Sequence, residues 1–153
     1  LEAAAKHRGS ALVEIYQNCP IFNDGAFDVL KDADESARRL IPLQQGEPIR
    51  FGREGEFGVV RSGFGGLEVA KVSEVGEENL VVHDATMEDP TYSFALSRLG
   101  GQDLSHTVTG IFRNVSRPTY DDLTRAQVAD AQAAKPTDLQ GLLRGKDTWT
   151  VVS

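Results

Sequence analysis

Cys19, the only cysteine of the chain, lies in Val13-Glu14-Ile15-Tyr16-Gln17-Asn18-Cys19-Pro20-Ile21-Phe22-Asn23-Asp24-Gly25, where an apolar stretch gives way to a polar turn. A thiolate is a soft ligand for iron or zinc. In open α/β sheets, ligands and cofactors gather outside the carboxyl ends of the strands, so a cysteine just past a strand end is placed for redox or metal chemistry. One thiolate holds neither a cluster nor a zinc ion alone. If Cys19 is a ligand, its partners lie elsewhere in the protein; the competing reading is an inert thiol packed as a small hydrophobe.

The remaining polar groups point more weakly to chemistry. Asn23 and Asp24 carry hard oxygens of the kind magnesium prefers, but a polar pair before Gly25 also caps a helix or closes a turn. His83-Asp84 follows an apolar run and has the composition of an acid/base pair, yet adjacent strand residues point to opposite faces. No nucleophile elbow or paired metal spacing accompanies it or the other histidines, His7 and His106. Gly63-Phe64-Gly65-Gly66 lacks the Lys-Ser/Thr of a phosphate loop and the dinucleotide spacing, and reads as a hairpin turn. Glu54, Glu56, Glu74, Glu77, Glu78 and Glu88 fall mostly in turns and form a solvated acidic surface. No catalytic residue is assigned within the chain.

The elements that must position Cys19 follow from pattern. Leu1 to Arg8 reads as a helix end, with Gly9 as the residue that takes positive φ beyond it. Ser10 to Gln17, nearly continuous in apolar residues apart from Glu14, predicts a strand buried on both sides of a parallel sheet. A helix feeding such a strand is half of a βαβ unit, which gives an α/β class. Ala26–Leu30 and Asp34–Leu40 read as helical, capped by Asn23 or Asp24 and by Asp34, with Arg38-Arg39 on a helix surface. Pro42 to Pro48 marks a boundary. Beyond it, Phe57–Val60, Leu67–Val72 and Asn79–Val82 are predicted strands of a small β-rich excursion broken by glycine turns. Asp89-Pro90 opens a helix that runs to Leu99 and stops at Gly100-Gly101. Thr107–Val115 predicts a strand. Thr119 with Asp122 begins a helix to about Ala134, Thr137 with Gln140 a short one to Gly145, and Thr148–Val152 an edge strand. The expected organisation is 1–46, the end of an αβ domain; 47–118, a β-rich subdomain with one helix; and 119–153, C-terminal helices and tail.

Composition bounds the class. The chain has 153 residues, 40% apolar and 25% charged, and no apolar run approaches a membrane span. A net charge of -7 argues against a nucleic-acid groove, which needs clustered Lys and Arg. A single cysteine excludes an intrachain disulfide framework and fits a reducing cytoplasm. The chain opens on the helix-forming Leu1-Glu2-Ala3-Ala4-Ala5-Lys6 with no starting Met, so a fragment of a longer polypeptide is expected.

The stretch Val13 to Phe27, with Ala95-Leu96-Ser97-Arg98-Leu99 and Asp147-Thr148-Trp149-Thr150-Val151, resembles the β subunit of the 2-oxoacid:ferredoxin oxidoreductases, in its bacterial 2-oxoglutarate-type branch. The resemblance spans essentially the whole chain and covers the C-terminal part of such a subunit. It implies the C-terminal part of a thiamine-diphosphate-binding fold with a parallel-sheet αβ body. In the family, three cysteines and a Gly-Asp-Gly-Asp stretch leading to the Mg2+ and diphosphate ligands lie further upstream, and this chain has neither. A fourth cysteine in an Asn-Cys-Pro segment closes a 4Fe-4S cluster, and by that match Cys19 is the fourth ligand. Asn18 and Pro20 are then the expected neighbours, Asn18 bonding to cluster sulfur and Pro20 fixing the backbone.

The implied activity is oxidation of a 2-oxoacid to acyl-CoA with electrons passing to ferredoxin or flavodoxin. The implied partners are the remainder of the β subunit and the α subunit, and the chain alone is expected to be inactive. Two other readings stand beside this one: a noncatalytic acidic αβ interaction module with a structural Cys19, and a small enzyme using Asp24 and His83.

Overall fold

A computed structural model describes residues 1–101, 103–135, 138–146 and 149–152. The helices are α1 (Glu2–Lys6), α2 (Ala33–Arg39), α3 (Val72–Val75), α4 (Thr91–Ser97), α5 (Tyr120–Ala134) and α6 (Leu139–Arg144); the strands are β1 (Leu40–Pro42), β2 (Arg50–Phe51), β3 (Phe57–Arg61), β4 (Leu67–Lys71) and β5 (Thr107–Thr109). β1 and β5 pair in parallel, Ile41 opposite Val108, and β2, β3 and β4 form an antiparallel sheet in that order. Helices with a parallel pair and a small antiparallel sheet make the chain α/β, as its patterning predicts. The chain divides into two units, residues 1–7 with 11–116 and residues 8–10 with 117–153.

The core of the first unit lies between its two sheets and α4. Ile41, Leu43, Ile49, Phe51, Val59, Val81, Tyr92, Leu96 and Val108 are buried together there. Each such side chain contributes about 1.5–3 kcal/mol by leaving water. Phe51 and Phe57 stack with ring centroids 5.5 Å apart. The sheet approaches its cover so closely at Gly58 that an added Cβ would lie 2.4 Å from Leu80 Cδ2, which is why β3 carries a glycine there.

Several predicted elements form as expected. Gly9 takes φ 117°, and Thr119 Oγ1 accepts from Asp122 N at 3.1 Å to start α5. Asp89 accepts from Thr91 N at 2.8 Å at the start of α4, which ends at Ser97, two residues early. Others differ for identifiable reasons. α2 is capped by Asp32, whose Oδ1 accepts from Asp34 N at 2.9 Å and Glu35 N at 3.0 Å; Asp34 sits inside the first turn, favoured by the helix dipole. Ala26–Leu30 yields only a 3-10 turn at Asp28–Leu30, entered from Phe27 with no side-chain cap.

The third predicted strand of the excursion does not form. Gly76 at φ 82° and a 3-10 turn at Glu77–Asn79 consume its start, and Leu80 and Val82 make isolated bridges to Val60 and Pro48. β5 stops at Thr109 because Gly110, at φ 123°, turns the chain where a Cβ would lie 2.9 Å from Leu43 Cβ. Thr137 and Thr148 lie outside the described residues; Asp138 caps α6 by accepting from Gln140 N at 3.0 Å, and residues 149–152 form no strand.

The largest departure is at the N-terminal end. Residues 11–18 carry no regular secondary structure, so the predicted strand Ser10–Gln17 is absent. A strand needs a neighbour for its amides and carbonyls, and no strand among the described residues lies alongside it. No helix among the described residues is long and apolar enough to cross a membrane.

Candidate functional site

Cys19 sits at the head of a tight loop. Asn23 N donates to Cys19 O at 2.9 Å, and the two residues form an isolated antiparallel bridge, so the chain reverses over Pro20-Ile21-Phe22. Pro20, with its fixed φ and missing N–H, suits the first corner of this turn. The loop is closed from outside by Asn18. Its Nδ2 donates to Asp24 Oδ1 at 2.9 Å, and its Oδ1 accepts from Gly25 N at 2.9 Å. Gly25 takes φ 74°, a conformation that disfavours side chains. Tyr16 stacks on Phe27 at 5.3 Å and joins the two arms of the loop.

Residue Cys19 is half-buried in the turn. The N–H groups of Phe22, then Ile21 and more weakly Asn23, hold its pKa below the ordinary thiol value against a small opposing effect of desolvation. A sulfur with a favoured thiolate and amide donors around it has the chemistry of a metal or cluster ligand. The loop carries one such sulfur. Among the described residues no group of three or more His, Cys, Asp or Glu is placed to hold a metal ion, so the remaining ligands of any centre would come from elsewhere.

The other expected residues fall differently. The Asn18 side chain is committed to Asp24 and Gly25, which makes it the latch of the loop, while the sulfur takes its donors from the backbone. Asp24 serves that latch. His83 is buried: its Nε2–H donates to Ile111 O at 2.9 Å, leaving Nδ1 to accept from the Tyr92 hydroxyl at 3.0 Å. Asp84 turns away from it to accept from Thr86 Oγ1 at 2.6 Å and Gln45 Nε2 at 3.0 Å. His83 is thus a core pin with both ring nitrogens engaged, and it shares no hydrogen bond with Asp24 or Asp84. The enzyme reading built on Asp24 and His83 has no geometry behind it.

Gly63–Gly66 is the expected hairpin turn, closed by Ser62 N donating to Gly66 O at 3.0 Å. It holds Phe64 fully exposed at φ 59°, which nothing in the residue pattern foretells.

These features define an α/β unit whose single cysteine sits on a loop latched by Asn18. The chain is 58% identical to the 2-oxoglutarate oxidoreductase subunit KorB of Mycobacterium tuberculosis, over an alignment that covers 99% of this chain and 41% of the relative. The family resemblance drawn from residues 13–27, 95–99 and 147–151 is therefore borne out along almost the whole chain, which spans about two-fifths of that relative's length. No protein-family model matches the chain, and no solved structure matches it.

Proposed function

We propose that this chain is the C-terminal part of the thiamine-diphosphate-binding β subunit of a 2-oxoglutarate:ferredoxin oxidoreductase, with Cys19 as the fourth ligand of a 4Fe-4S cluster. The observation that carries the reading is the 58% identity to a 2-oxoglutarate oxidoreductase subunit over nearly every residue. The amide-lined loop of Cys19 supports the ligand role from the chain's own chemistry.

When bound, thiamine diphosphate with Mg2+ supplies the carbanion chemistry that releases CO2 from a 2-oxoacid, and an iron–sulfur cluster supplies one-electron transfer. This chain's residues do the supporting work. The loop presents the Cys19 sulfur, the amides of Phe22, Ile21 and Asn23 favour its anionic form, and the Asn18–Asp24 latch keeps the turn closed. Residues 1–46 are read as the end of the cofactor-binding domain, 47–118 as a β-rich subdomain and 119–153 as helices and tail, packed against the rest of the subunit and its α partner in a cytoplasmic complex.

The test uses a protein of the relative's full length, purified anaerobically with its partner subunit. It is expected to convert 2-oxoglutarate and CoA to an acyl-CoA with reduction of ferredoxin, and Cys19→Ala is expected to lose iron and iron–sulfur absorbance. Absence of that reaction in the wild type would overturn the assignment of activity. Unchanged iron content in Cys19→Ala would overturn the ligand role, and a colourless wild-type complex without iron would favour the noncatalytic interaction module.

A further inference from the structure

The loop that follows Cys19 contains the one Asp-Gly or Asn-Gly pair of the sequence, Asp24-Gly25. Such a pair is chemically fragile, because glycine has no side chain to keep its amide nitrogen away from the side-chain carbonyl carbon of the residue before it. The turn nevertheless requires glycine here. Gly25 takes φ 74°, and an added Cβ would lie 3.0 Å from Asp28 Oδ2. Asp24 is exposed, so water reaches its carboxyl group. The reaction open to the pair is ring closure. Gly25 N attacks Cγ of the neutral Asp24 acid, an N–C bond forms, a C–O bond breaks, and one water leaves with the amide proton and the carboxyl hydroxyl. The succinimide then takes up one water. Addition at the β-carbonyl restores aspartate; addition at the α-carbonyl gives isoaspartate, with the main chain routed through the side chain. The water lost in the first step is regained in the second, and nothing is oxidised or reduced.

Asn18 stands across both reacting groups. Its Oδ1 accepts from Gly25 N at 2.9 Å, and its Nδ2 donates to Asp24 Oδ1 at 2.9 Å. Ring closure requires the Gly25 nitrogen to give up its proton and face Asp24 Cγ, and it requires the Asp24 carboxyl to turn and release an oxygen. One carboxamide opposes both movements. We propose that Asp24-Gly25 is a site of spontaneous isoaspartate formation and that the Asn18 side chain holds the reaction back while the loop is closed. The product also undoes the loop. An isoaspartyl residue lengthens the main chain by one atom and leaves a free α-carboxylate beside it, so Gly25 N no longer meets Asn18 Oδ1 and the turn that carries Cys19 opens. Asn18 thus protects the covalent structure of the loop as well as its shape.

The test holds a protein of the relative's full length, with its partner subunit, at neutral pH beside a free peptide of residues 13–28. Isoaspartate at residue 24 is read by peptide mapping, with a protein isoaspartate methyltransferase as the probe. The wild type is expected to form it about tenfold or more slowly than the peptide, the scale set by breaking a hydrogen bond, and Asn18→Ala at close to the peptide's rate. Tyr92→Phe removes a buried bond to His83 and leaves those of the loop in place, so it separates local from global protection and is expected to match the wild type. Asp24→Glu added to Asn18→Ala is expected to abolish the signal, because the five-membered ring can no longer form. Isomerisation of the wild type at the peptide's rate would overturn the proposal, as would an Asn18→Ala protein no faster than the wild type. Equal acceleration in Tyr92→Phe and Asn18→Ala would assign the protection to overall stability and overturn the role of Asn18. A signal that persists in the double variant would remove Asp24 as the site.

Discussion

His83 and Tyr92 are joined in the core of the first unit by a 3.0 Å hydrogen bond in which the phenol donates to Nδ1, while the other ring nitrogen is held by Ile111 O. This bond ties the end of the β-rich excursion to α4. Tyr92→Phe keeps the ring and removes the hydroxyl, leaving Nδ1 buried without a partner. The expected loss is about 1–3 kcal/mol in unfolding free energy. Equilibrium urea unfolding of the two forms measures it, and a difference below about 0.3 kcal/mol, within the usual scatter of surface substitutions, would refute the pin.

Thr107 presents the opposite situation. Its side chain is buried on β5, and Oγ1 has no hydrogen-bond partner among the described residues. Thr107→Val exchanges the hydroxyl for a methyl of similar size at the position paired with Leu40. A gain of about 1 kcal/mol is expected, since a buried hydroxyl without a partner costs on that order. A rise in the thermal midpoint checks it; a fall would mean that the hydroxyl is satisfied in solution.

Asp84 carries a pH dependence. The Thr86 hydroxyl first, then the Gln45 amide and the Thr86 backbone N–H, hold its carboxyl down to about 2. The folded value lies below the unfolded one of about 3.9, so folding favours the charged form. The contribution is complete above the unfolded value, declines as pH falls from there towards 2, and vanishes below. Asp84→Asn should flatten the thermal midpoint against pH between about 2 and 4 relative to the wild type. Parallel curves in that window would remove Asp84 from the account of acid stability.

The residue pattern made legible what local chemistry decides. Thr119 caps α5, Asp89 opens α4, and β3 and β4 occur where short apolar runs are bounded by glycine turns, because these features depend on neighbours a few positions away. The site was legible as far as the identity of Cys19 and the turn after it. The latch was not, because Asn18 bonding across to Asp24 and Gly25 is a matter of loop closure, and the pattern assigned it to the sulfur instead. The strand predicted at residues 10–17 does not form, because a strand needs a neighbour and none lies alongside it among the described residues. Burial of His83 was equally out of view, because its partners Tyr92 and Ile111 lie 9 and 28 positions away.

The latch can be tested through the thiol it positions. Asn18 holds the two ends of the loop by donating to Asp24 and accepting from Gly25, and the backbone N–H groups of Phe22 and Ile21 in the closed turn hold the Cys19 thiol below its ordinary pKa. Asn18→Ala removes both bonds on an exposed loop without touching the core. The turn then samples open conformations, the amides leave the sulfur, and the thiol pKa moves back up towards its ordinary value. Alkylation of Cys19 followed against pH reads this directly, because the thiolate is the reacting form. The midpoint of the rate profile is expected below that of a free thiol in the wild type and higher in Asn18→Ala, with circular dichroism unchanged. Coincident midpoints in the two proteins would show that the turn holds its shape without the latch.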